Sequence, residues 1–415
     1  MNYFFSCFLG LLICCSAYSK PVQPIVVLLS IDGFSYEYLN KYKPPNILAL
    51  ANSGILAKLQ PVYPSKTFPN HLSIITGSYP ITHGIINNNF YNPILAEKYS
   101  LGAGENNAKW LTAEPFWTVA KQQGIKTAVY FWPESEALGK TPTYNIPFNK
   151  TDSNKARFDQ IIKWLQLPLE QRPHFIATYF STVDSAGHRY GPDSNELINT
   201  VKEIDLLIGN FVTQLSAIVA QEVNVIIVSD HGMLKKNRKK VVKPSMIFNQ
   251  KNIDLIESKT LTVIRNDTQL YIYFTGEKAD TIQPSKVLKS IKNNPHFNVL
   301  FQVYTKKGYP EHWQLNHANE LVPDIIVEAL PPATFVKENY DSKSANIGTH
   351  GYDPKNQKNL MGIFIASGPN IVKRTEIEPF ENIHIFPFLS QVFSLETPTA
   401  IDGKSAVLAP YIINK

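Results

Sequence analysis

Three aspartates and three histidines stand out because each lies just past a predicted buried strand or in a loop bounded by glycines. They are Asp32, Asp184, His188, Asp230, His231 and His350. Each histidine alone is more readily explained as a structural residue, but aspartates and histidines that gather at one place form a ligand set that suits zinc, with manganese or other divalent ions also possible. Together they predict a two-metal site, which is suited to in-line displacement at phosphorus.

The segment "YPSKTFPNH" supplies hydroxyl groups that could act as the nucleophile at such a site. Ser65 and Thr67 are the two candidates, and Thr67 is followed by Phe68 and Pro69 at the start of a predicted helix. A helix N-terminus there would favour a phosphate oxyanion. The spacing leaves one alternative open, in which Thr67 only caps that helix.

Buried strands and amphipathic helices alternate along the chain, and they must position these side chains. The apolar runs at 25–31, 125–132, 174–184, 223–228 and 360–368 predict strands, and the segments 46–55, 114–123, 156–166, 194–218 and 383–394 predict helices. We expect the strand at 174–184 to end at Asp184. Alternation of this kind predicts a largely parallel sheet with helices on both faces. Ligands bind at the carboxyl edge of such sheets, where Asp32, Asp184 and Asp230 would meet.

The pattern changes after Gly232. A hairpin at 260–276, a helix at 284–292 and a strand at 324–330 predict a smaller α+β insertion over residues 235–345, set into a catalytic α/β domain of residues 20–234 and 346–415. The insertion begins with a basic run at 235–240, which is interpreted either as a solvated loop or as a cationic rim that draws anionic substrates to the site.

Residues 1–19 include an apolar stretch from Phe4 to Cys15, carry no Asp, Glu, Lys or Arg, and contain all three cysteines of the 415-residue chain. They predict a signal peptide and hence a secreted or periplasmic protein. A lipoprotein signal is the alternative, although Ile13 before Cys14 disfavours it. No later segment predicts a transmembrane helix. The net charge of +6 is modest for this length and does not indicate specific nucleic-acid binding.

The chain resembles the nucleotide pyrophosphatase/phosphodiesterase family of the alkaline phosphatase superfamily. The motifs that carry the resemblance run through nearly the whole mature chain and are specific as a set. They are "IDGF", "KTFPNH", "TGSYPITHGIINN", "FWP", "WLQLP…RPHF", "DSAGHRYGP", "SDHGM" and "GTHGYDP". The resemblance implies an alkaline-phosphatase-like fold and a hydrolase with two zinc ions.

It also implies a role for each matching residue. Asp32, Thr67, Asp230 and His231 would hold one zinc, and Asp184, His188 and His350 the other, with Thr67 as the nucleophile. Asn88 would bind phosphate and Phe68 would pack on the base. Tyr144 stands as a second base-stacking aromatic, although the spacing around it departs from the family pattern.

These features predict an exported phosphodiesterase or nucleotide pyrophosphatase that releases nucleoside 5′-monophosphates through a phosphothreonine intermediate. A phosphomonoesterase or a lipid- or choline-type phosphodiesterase of the same superfamily is the alternative, because the pocket walls decide the substrate. A sulfatase is disfavoured, since the mature chain has no cysteine and "PSKTFPNH" does not match a sulfatase maturation motif. A non-catalytic metal-stabilised binding protein would be expected to lack some ligands, and all seven positions are filled. The sequence leaves the oligomeric state open.

Overall fold

The computed structural model describes residues 23–218, 223–276, 284–316, 318–343, 346–373 and 375–413. The predicted signal peptide at 1–19 lies outside these residues. Within them, no helix is long and apolar enough to cross a membrane. The helices are α1 (Glu37–Tyr42), α2 (Pro45–Ser53), α3 (Thr67–Thr76), α4 (Pro80–His83), α5 (Phe116–Gln122), α6 (Asn154–Leu165), α7 (Thr182–Tyr190), α8 (Asn195–Ile218), α9 (Gln250–Glu257), α10 (Pro284–Lys292) and α11 (Ile385–Val392).

The strands vary from two to seven residues in length. They are β1 (Ile25–Ile31), β2 (Ile55–Gln60), β3 (Tyr91–Asn92), β4 (Glu97–Lys98), β5 (Thr127–Tyr130), β6 (Tyr144–Ile146), β7 (Phe175–Phe180), β8 (Val223–Val228), β9 (Leu234–Lys235), β10 (Val241–Val242), β11 (Leu261–Arg265), β12 (Gln269–Phe274), β13 (Phe301–Thr305), β14 (Ile325–Ala329), β15 (Thr334–Phe335), β16 (Gly348–Thr349), β17 (Gly362–Ser367), β18 (Thr375–Glu376) and β19 (Phe380–Glu381).

Nine strands form the central sheet, in the order β18-β2-β17-β8-β1-β7-β5-β6, with β19 also paired to β2. Strand β1 lies between β7 and β8 and runs parallel to both, whereas β17 runs antiparallel to its neighbours β2 and β8. All residues of β1, β7 and β8 are buried, as expected for strands covered on both faces. The predicted α/β fold with a largely parallel sheet is confirmed.

Successive residues of β1 belong to two different hydrophobic clusters, because side chains alternate across a strand. Val26 and Leu28 pack in one cluster, and Val27 and Leu29 in the other. The apolar stripe of α8 is buried in the second cluster, through Leu197, Val201, Ile204, Ile208, Phe211 and Leu215. The long helix predicted at 194–218 is therefore confirmed, and its stripe is core.

The helix predicted at 46–55 was placed too far along the chain, because α2 ends at Ser53 and Ile55 begins β2. A second predicted boundary was also wrong. The strand that was expected to end at Asp184 ends at Phe180, and Asp184 lies in the first turn of α7. An acidic side chain in the first turn, with His188 and Arg189 in the last, complements the helix dipole at both ends. Asp184 therefore reaches the sheet edge from a helix and not from a strand.

A second, antiparallel sheet lies between β8 and β17 in the chain, with the order β11-β12-β14-β13. Its apolar face forms a third hydrophobic cluster with residues of α9 and α10. The predicted hairpin and the helix at 284–292 both belong to this part. We propose that residues 235–345 form the inserted unit that the sequence predicts.

Candidate metal centre

The parallel pairing of β1 with β8 brings two aspartates to one edge of the central sheet. Ser30 pairs with Val228, so Asp32 and Asp230 follow their strands side by side. The backbone N–H of Gly33 donates to Oδ1 of Asp230 at 3.2 Å. The hydroxyl of Tyr179 donates to Oδ2 of Asp32 at 2.5 Å. In each carboxylate one oxygen accepts a hydrogen bond, and the other oxygen faces the candidate site.

His231 and Thr67 complete a first group around these carboxylates. Nε2 of His231 lies 2.9 Å from Oδ2 of Asp230 and 3.4 Å from Oδ1 of Asp32. Oγ1 of Thr67 lies 3.3 Å from the same Nε2. Oxygen and nitrogen atoms that crowd together in this way, in a buried place, can all point at one cation.

A second group consists of Asp184, His188 and His350. Because α7 is a helix, residues four apart lie on one face, and Nε2 of His188 is 3.4 Å from Oδ1 of Asp184. Nε2 of His350 is 3.6 Å from the same oxygen and 3.1 Å from Nε2 of His188. The structure therefore brings together residues from α7 and from the loop after β16.

The two groups adjoin each other. The rings of His231 and His350 stack with their centroids 3.6 Å apart. Donor atoms of Asp32, Asp230 and His231 lie within 4.8 Å of one another, and so do those of Asp184, His231 and His350. His231 is therefore within reach of both groups, whereas the sequence assigned it to the first alone.

Each of the three histidines is fixed through Nδ1 by a backbone carbonyl. His231 contacts the carbonyl oxygen of Gly232 at 2.9 Å, His188 that of Gly348 at 3.1 Å, and His350 that of Ser65 at 2.8 Å. A proton on Nδ1 leaves the lone pair of Nε2 free, and in all three rings Nε2 faces the centre. Metal-binding histidines are oriented in this way.

The carboxylates show that these groups fit a metal. Among the described residues, Oδ1 of Asp32, Oδ1 of Asp184 and Oδ2 of Asp230 are buried and accept no hydrogen bond. Burial and the charges of Asp230 and Asp184 raise the pKa of Asp32. Burial also lowers the pKa of His350, which favours the neutral ring that a metal requires. Unpaired buried carboxylate oxygens are costly, and a divalent cation would satisfy them.

Thr67 is the first residue of α3, and its hydroxyl faces His231 instead of capping the helix. The N-cap residue is Lys66, and no side chain caps this end. The alternative in which Thr67 serves only as a cap is therefore not what the structure has. The hydroxyl lies between the helix N-terminus and the first group of candidate ligands.

Two side chains at the site were missed by the sequence reasoning. His71 is fully buried on α3, and its Nδ1 is 2.9 Å from the carbonyl oxygen of Thr67 and 3.3 Å from Oδ2 of Asp230. Its position one helical turn after Thr67 could have indicated it. Tyr179 lies within an apolar strand, and nothing in the pattern sets it apart.

A cavity of about 530 Å³ opens beside Thr67, and Asp32, Asp184, Asn88 and Phe68 line it. Oδ1 of Asn88 accepts the backbone N–H of Phe68 at 3.0 Å. The other residues that line the cavity include Leu101, Phe131 and Phe148, and the acids Glu105 and Glu136. The predicted substrate-binding residues Asn88 and Phe68 thus lie next to Thr67, the candidate nucleophile.

The structure does not bring Tyr144 to this cavity. Tyr144 begins β6 at the end of the central sheet, and its hydroxyl donates to the carbonyl oxygen of Gln171 at 3.0 Å. Phe148, four residues later, lines the cavity instead, and its ring lies 4.6 Å from that of Phe131. The position expected for Tyr144 is therefore occupied by other aromatic side chains.

The loop before Thr67 and the loop after His350 are fastened to the same buried acid of the second sheet. Glu328 of β14 accepts hydrogen bonds from the hydroxyl of Tyr63 at 2.7 Å and from the backbone N–H of Asp353 at 3.2 Å. Its third partner is Nε2 of Gln269, at 3.2 Å. The second sheet is therefore hydrogen-bonded to both loops that flank the candidate metal centre.

Comparison with known proteins places these features in one family. The model of the type I phosphodiesterase/nucleotide pyrophosphatase family matches residues 26–353. An uncharacterised pyrophosphatase/phosphodiesterase of Schizosaccharomyces pombe is 31% identical over 384 residues, which cover 90% of this chain and 77% of the yeast protein. Venom phosphodiesterase of Naja atra is 33% identical over 381 residues, and the rat ectonucleotide pyrophosphatase/phosphodiesterase family member 3 is 32% identical over 382.

The chain spans less than half of these last two relatives, 45% of the venom protein and 42% of the rat protein. Among solved structures, murine ectonucleotide pyrophosphatase/phosphodiesterase 5 superposes with a TM-score of 0.83 at 25% identity, covering 94% of this chain and 100% of the murine one. An inactive variant of the murine protein has been solved in complex with AMP.

Proposed function

The chain belongs to the type I phosphodiesterase/nucleotide pyrophosphatase family, and from that premise we propose that it hydrolyses phosphodiester or pyrophosphate bonds of nucleotides and releases nucleoside 5′-monophosphates. The observation that carries the proposal is the hydroxyl of Thr67, which lies at a helix N-terminus, 3.3 Å from His231, with a cavity beside it. A candidate nucleophile, candidate metal ligands and a cavity thus occur together.

The proposed cofactor is a pair of divalent cations, which we assign as zinc. Asp32, Thr67, Asp230 and His231 would hold one cation, and Asp184, His188 and His350 the other. The cations would supply positive charge that lowers the pKa of the Thr67 hydroxyl and stabilises charge on the phosphate and on the leaving oxygen.

The residues of the chain then carry the reaction in two steps. In the first, Oγ1 of Thr67 forms a bond to phosphorus while the bond to the leaving oxygen breaks, and the hydroxyl proton leaves to solvent. In the second, water displaces Thr67 from the phosphothreonine intermediate and regenerates the hydroxyl. The side-chain amide of Asn88 hydrogen-bonds the phosphate oxygens, and His71 holds Asp230 and the first turn of α3 in place.

The lining of the cavity supports a diester over a monoester. Of the described residues, none that lines it is an arginine or a lysine. A monoester carries more charge at phosphorus and benefits from an added cation, whereas a diester needs a wall for its second substituent. Phe68, Phe131 and Phe148 supply such a wall, on which a base can stack.

One observation also favours a second candidate, a choline-type phosphodiesterase. Glu105 and Glu136 line the same cavity as the phenylalanines, and aromatic rings with acids can bind a quaternary ammonium group. The same acids can instead accept hydrogen bonds from the amino group of a base. The nucleotide is our first choice because the relatives are named for nucleotide chemistry.

A panel of four chromogenic esters tests the proposal on the zinc-loaded protein. The esters are p-nitrophenyl thymidine 5′-monophosphate, bis-p-nitrophenyl phosphate, p-nitrophenyl phosphate and p-nitrophenyl phosphocholine. We expect the nucleotidyl ester to have the highest kcat/KM. If the monoester or the choline ester reacts fastest, the nucleotide assignment is wrong even if the metal site stands.

We further propose that the protein is exported to the periplasm or the cell exterior, as the segment 1–19 predicts. Venom phosphodiesterase, one of its relatives, is by name a component of a venom. N-terminal sequencing of the native protein tests this proposal, and a mature chain that still begins at Met1 would contradict it.

A further inference from the structure

A second cavity, of about 660 Å³, lies at the β11–β12 end of the second sheet, whose opposite edge strand is β13. We call it the insertion cavity. It shares no lining residue with the cavity beside Thr67. Its apolar walls come from the turn before α9, from α9 and from β11 and β12, and include Ile247, Phe248, Ile253, Ile256, Val263 and Leu270.

The walls of the insertion cavity are part of the third hydrophobic cluster. Phe248 and Leu270 are buried members of that cluster, whereas Ile253, Ile256 and Val263 are only partly buried. Protein interiors are normally filled to the density of organic crystals. An open apolar space of this size, within the range of ligand pockets, therefore indicates a place for an apolar group.

Cationic side chains line the insertion cavity. Arg265 and Lys337 line both this cavity and an adjoining one of about 310 Å³, which Lys236 also lines. Lys236 comes from the basic run that the proposed reaction leaves unused. In the described part of the chain, neither Lys236 nor Lys337 has a side-chain hydrogen bond or an ion pair.

Four acids also line the two cavities, and three of them already have partners. Asp267 lies 3.8 Å from Nη1 of Arg265. Glu338 accepts the backbone N–H of Ser245 at 3.2 Å and its hydroxyl at 2.6 Å. Glu257, at the last position of α9, also lines the insertion cavity. Asp341 lines the adjoining cavity and accepts the backbone N–H of Lys343 at 2.9 Å. Among the described charged groups of the adjoining cavity, the ammonium groups of Lys236 and Lys337 are thus the ones left to meet a ligand.

We propose that the insertion cavity binds a single-chain amphiphile with an anionic headgroup, such as a fatty-acid carboxylate. The alkyl chain would occupy the open space between α9 and β11, and the headgroup would lie at Lys337, which lines both cavities, within reach of Lys236. Burial of each methylene in an apolar cavity is favourable, and the paired cations fix the direction of the chain. The site is independent of the phosphodiesterase proposal.

Isothermal titration of the full protein with dodecanoate, below its micelle concentration, tests the site. We expect saturable binding of one dodecanoate per chain, at least tenfold weaker binding of hexanoate, and no binding of dodecyltrimethylammonium, because that cation would meet Lys337. Dodecanoate that fails to bind, or that binds no better than the cation, overturns the proposal.

Two variants separate the tail from the headgroup. Val263→Trp fills the cavity and should abolish binding, whereas Lys337→Gln leaves the cavity intact and should weaken dodecanoate at least fivefold without changing the binding of dodecanol. Lys289→Gln, at an exposed position of α10, is the matched control and should bind like the parent. Since Lys337 is exposed, Lys337→Gln remains informative if Val263→Trp fails to fold. Unchanged dodecanoate binding in Lys337→Gln contradicts the headgroup assignment.

Discussion

The hydroxyl of Tyr63 donates to the carboxylate of Glu328 at 2.7 Å, and this bond joins the loop before the candidate nucleophile to the second sheet. Glu328 also accepts the N–H of Asp353, three residues after His350. One buried acid thus connects the loop that leads to Thr67 with the loop that follows His350.

Glu328→Ala should therefore weaken the positioning of the two loops, although Glu328 itself is not a candidate metal ligand. We expect zinc at the His350 group to bind about tenfold more weakly, as for other groups that orient metal ligands, and kcat to fall with it. Zinc affinity is measured by competition with a chromogenic chelator. Tyr63→Phe removes only one of the bonds and should have the smaller effect; parental zinc affinity in Glu328→Ala would show that Glu328 does not position the centre.

Removal of the Thr67 hydroxyl should stop turnover and leave the fold intact. We expect Thr67→Ala to lower kcat by about 10³-fold or more, because the proposed reaction has no other nucleophile. Thr67→Ser keeps a hydroxyl and should retain measurable activity. Rates are compared at equal zinc content and equal melting temperature, and near-parental activity in Thr67→Ala would remove Thr67 from the mechanism.

Chelation should abolish activity and lower the melting temperature together. The buried oxygens of Asp32, Asp184 and Asp230 lose the cation that would satisfy them, and zinc at about 100 times its Kd should restore about 2.7 kcal/mol of stability. Calorimetry with and without added zinc measures the shift. Full hydrolysis at zero measured metal content would refute the two-metal proposal.

Phe148 and Tyr144 form a natural matched pair for base stacking, because only Phe148 lines the cavity. Phe148→Ala should raise KM for p-nitrophenyl thymidine 5′-monophosphate roughly 5- to 100-fold, the range expected for a lost base stack, and should change bis-p-nitrophenyl phosphate less. Tyr144→Ala should leave both unchanged. The reverse result would return the stacking role to Tyr144.

His83 should make the protein sensitive to acid. It is fully buried, and burial lowers its pKa from 6.5 to about 3. The unfolded chain therefore takes up a proton below pH 6.5 that the folded protein does not, so stability is lost as the pH falls toward 3. Denaturant unfolding between pH 7 and 5 should show a steeper loss for the parent than for His83→Gln; equal slopes would contradict this assignment.

The sequence predicted those parts of the fold that depend on periodic burial. The stripe of α8 and the bounds of α10 could be predicted because apolar residues recur at helical spacing over several turns. The end of β7 could not be predicted. The segment "STVDSAGHRY" that follows it is mostly polar, and such a sequence fits a loop as well as the first turn of an amphipathic helix. Burial patterns also do not say which loop folds over a cavity, so the sequence did not indicate that Phe148 lines it.

The seven predicted ligands converge in space, but their roles remain predictions. Strand ends could be read because a buried apolar run that stops at Asp32 or Asp230 marks the sheet edge. His71 gave a weaker signal, because one histidine on a buried helix is most often structural. Only the packing of α3 against the sheet edge reveals that Nδ1 of His71 lies 3.3 Å from Oδ2 of Asp230.

The order of the central sheet has a consequence for how the protein folds. Strand β8 is held between β1, near the start of the described chain, and β17, which follows His350. Such distant pairings form late, after many residues have been synthesised. Asp32, Asp184 and Asp230 all precede β17 in the chain, whereas the His350 group is incomplete until residue 350 has been synthesised. Capture of the second metal would therefore mark the end of folding, and a nascent chain could carry the nucleophile without being able to use it.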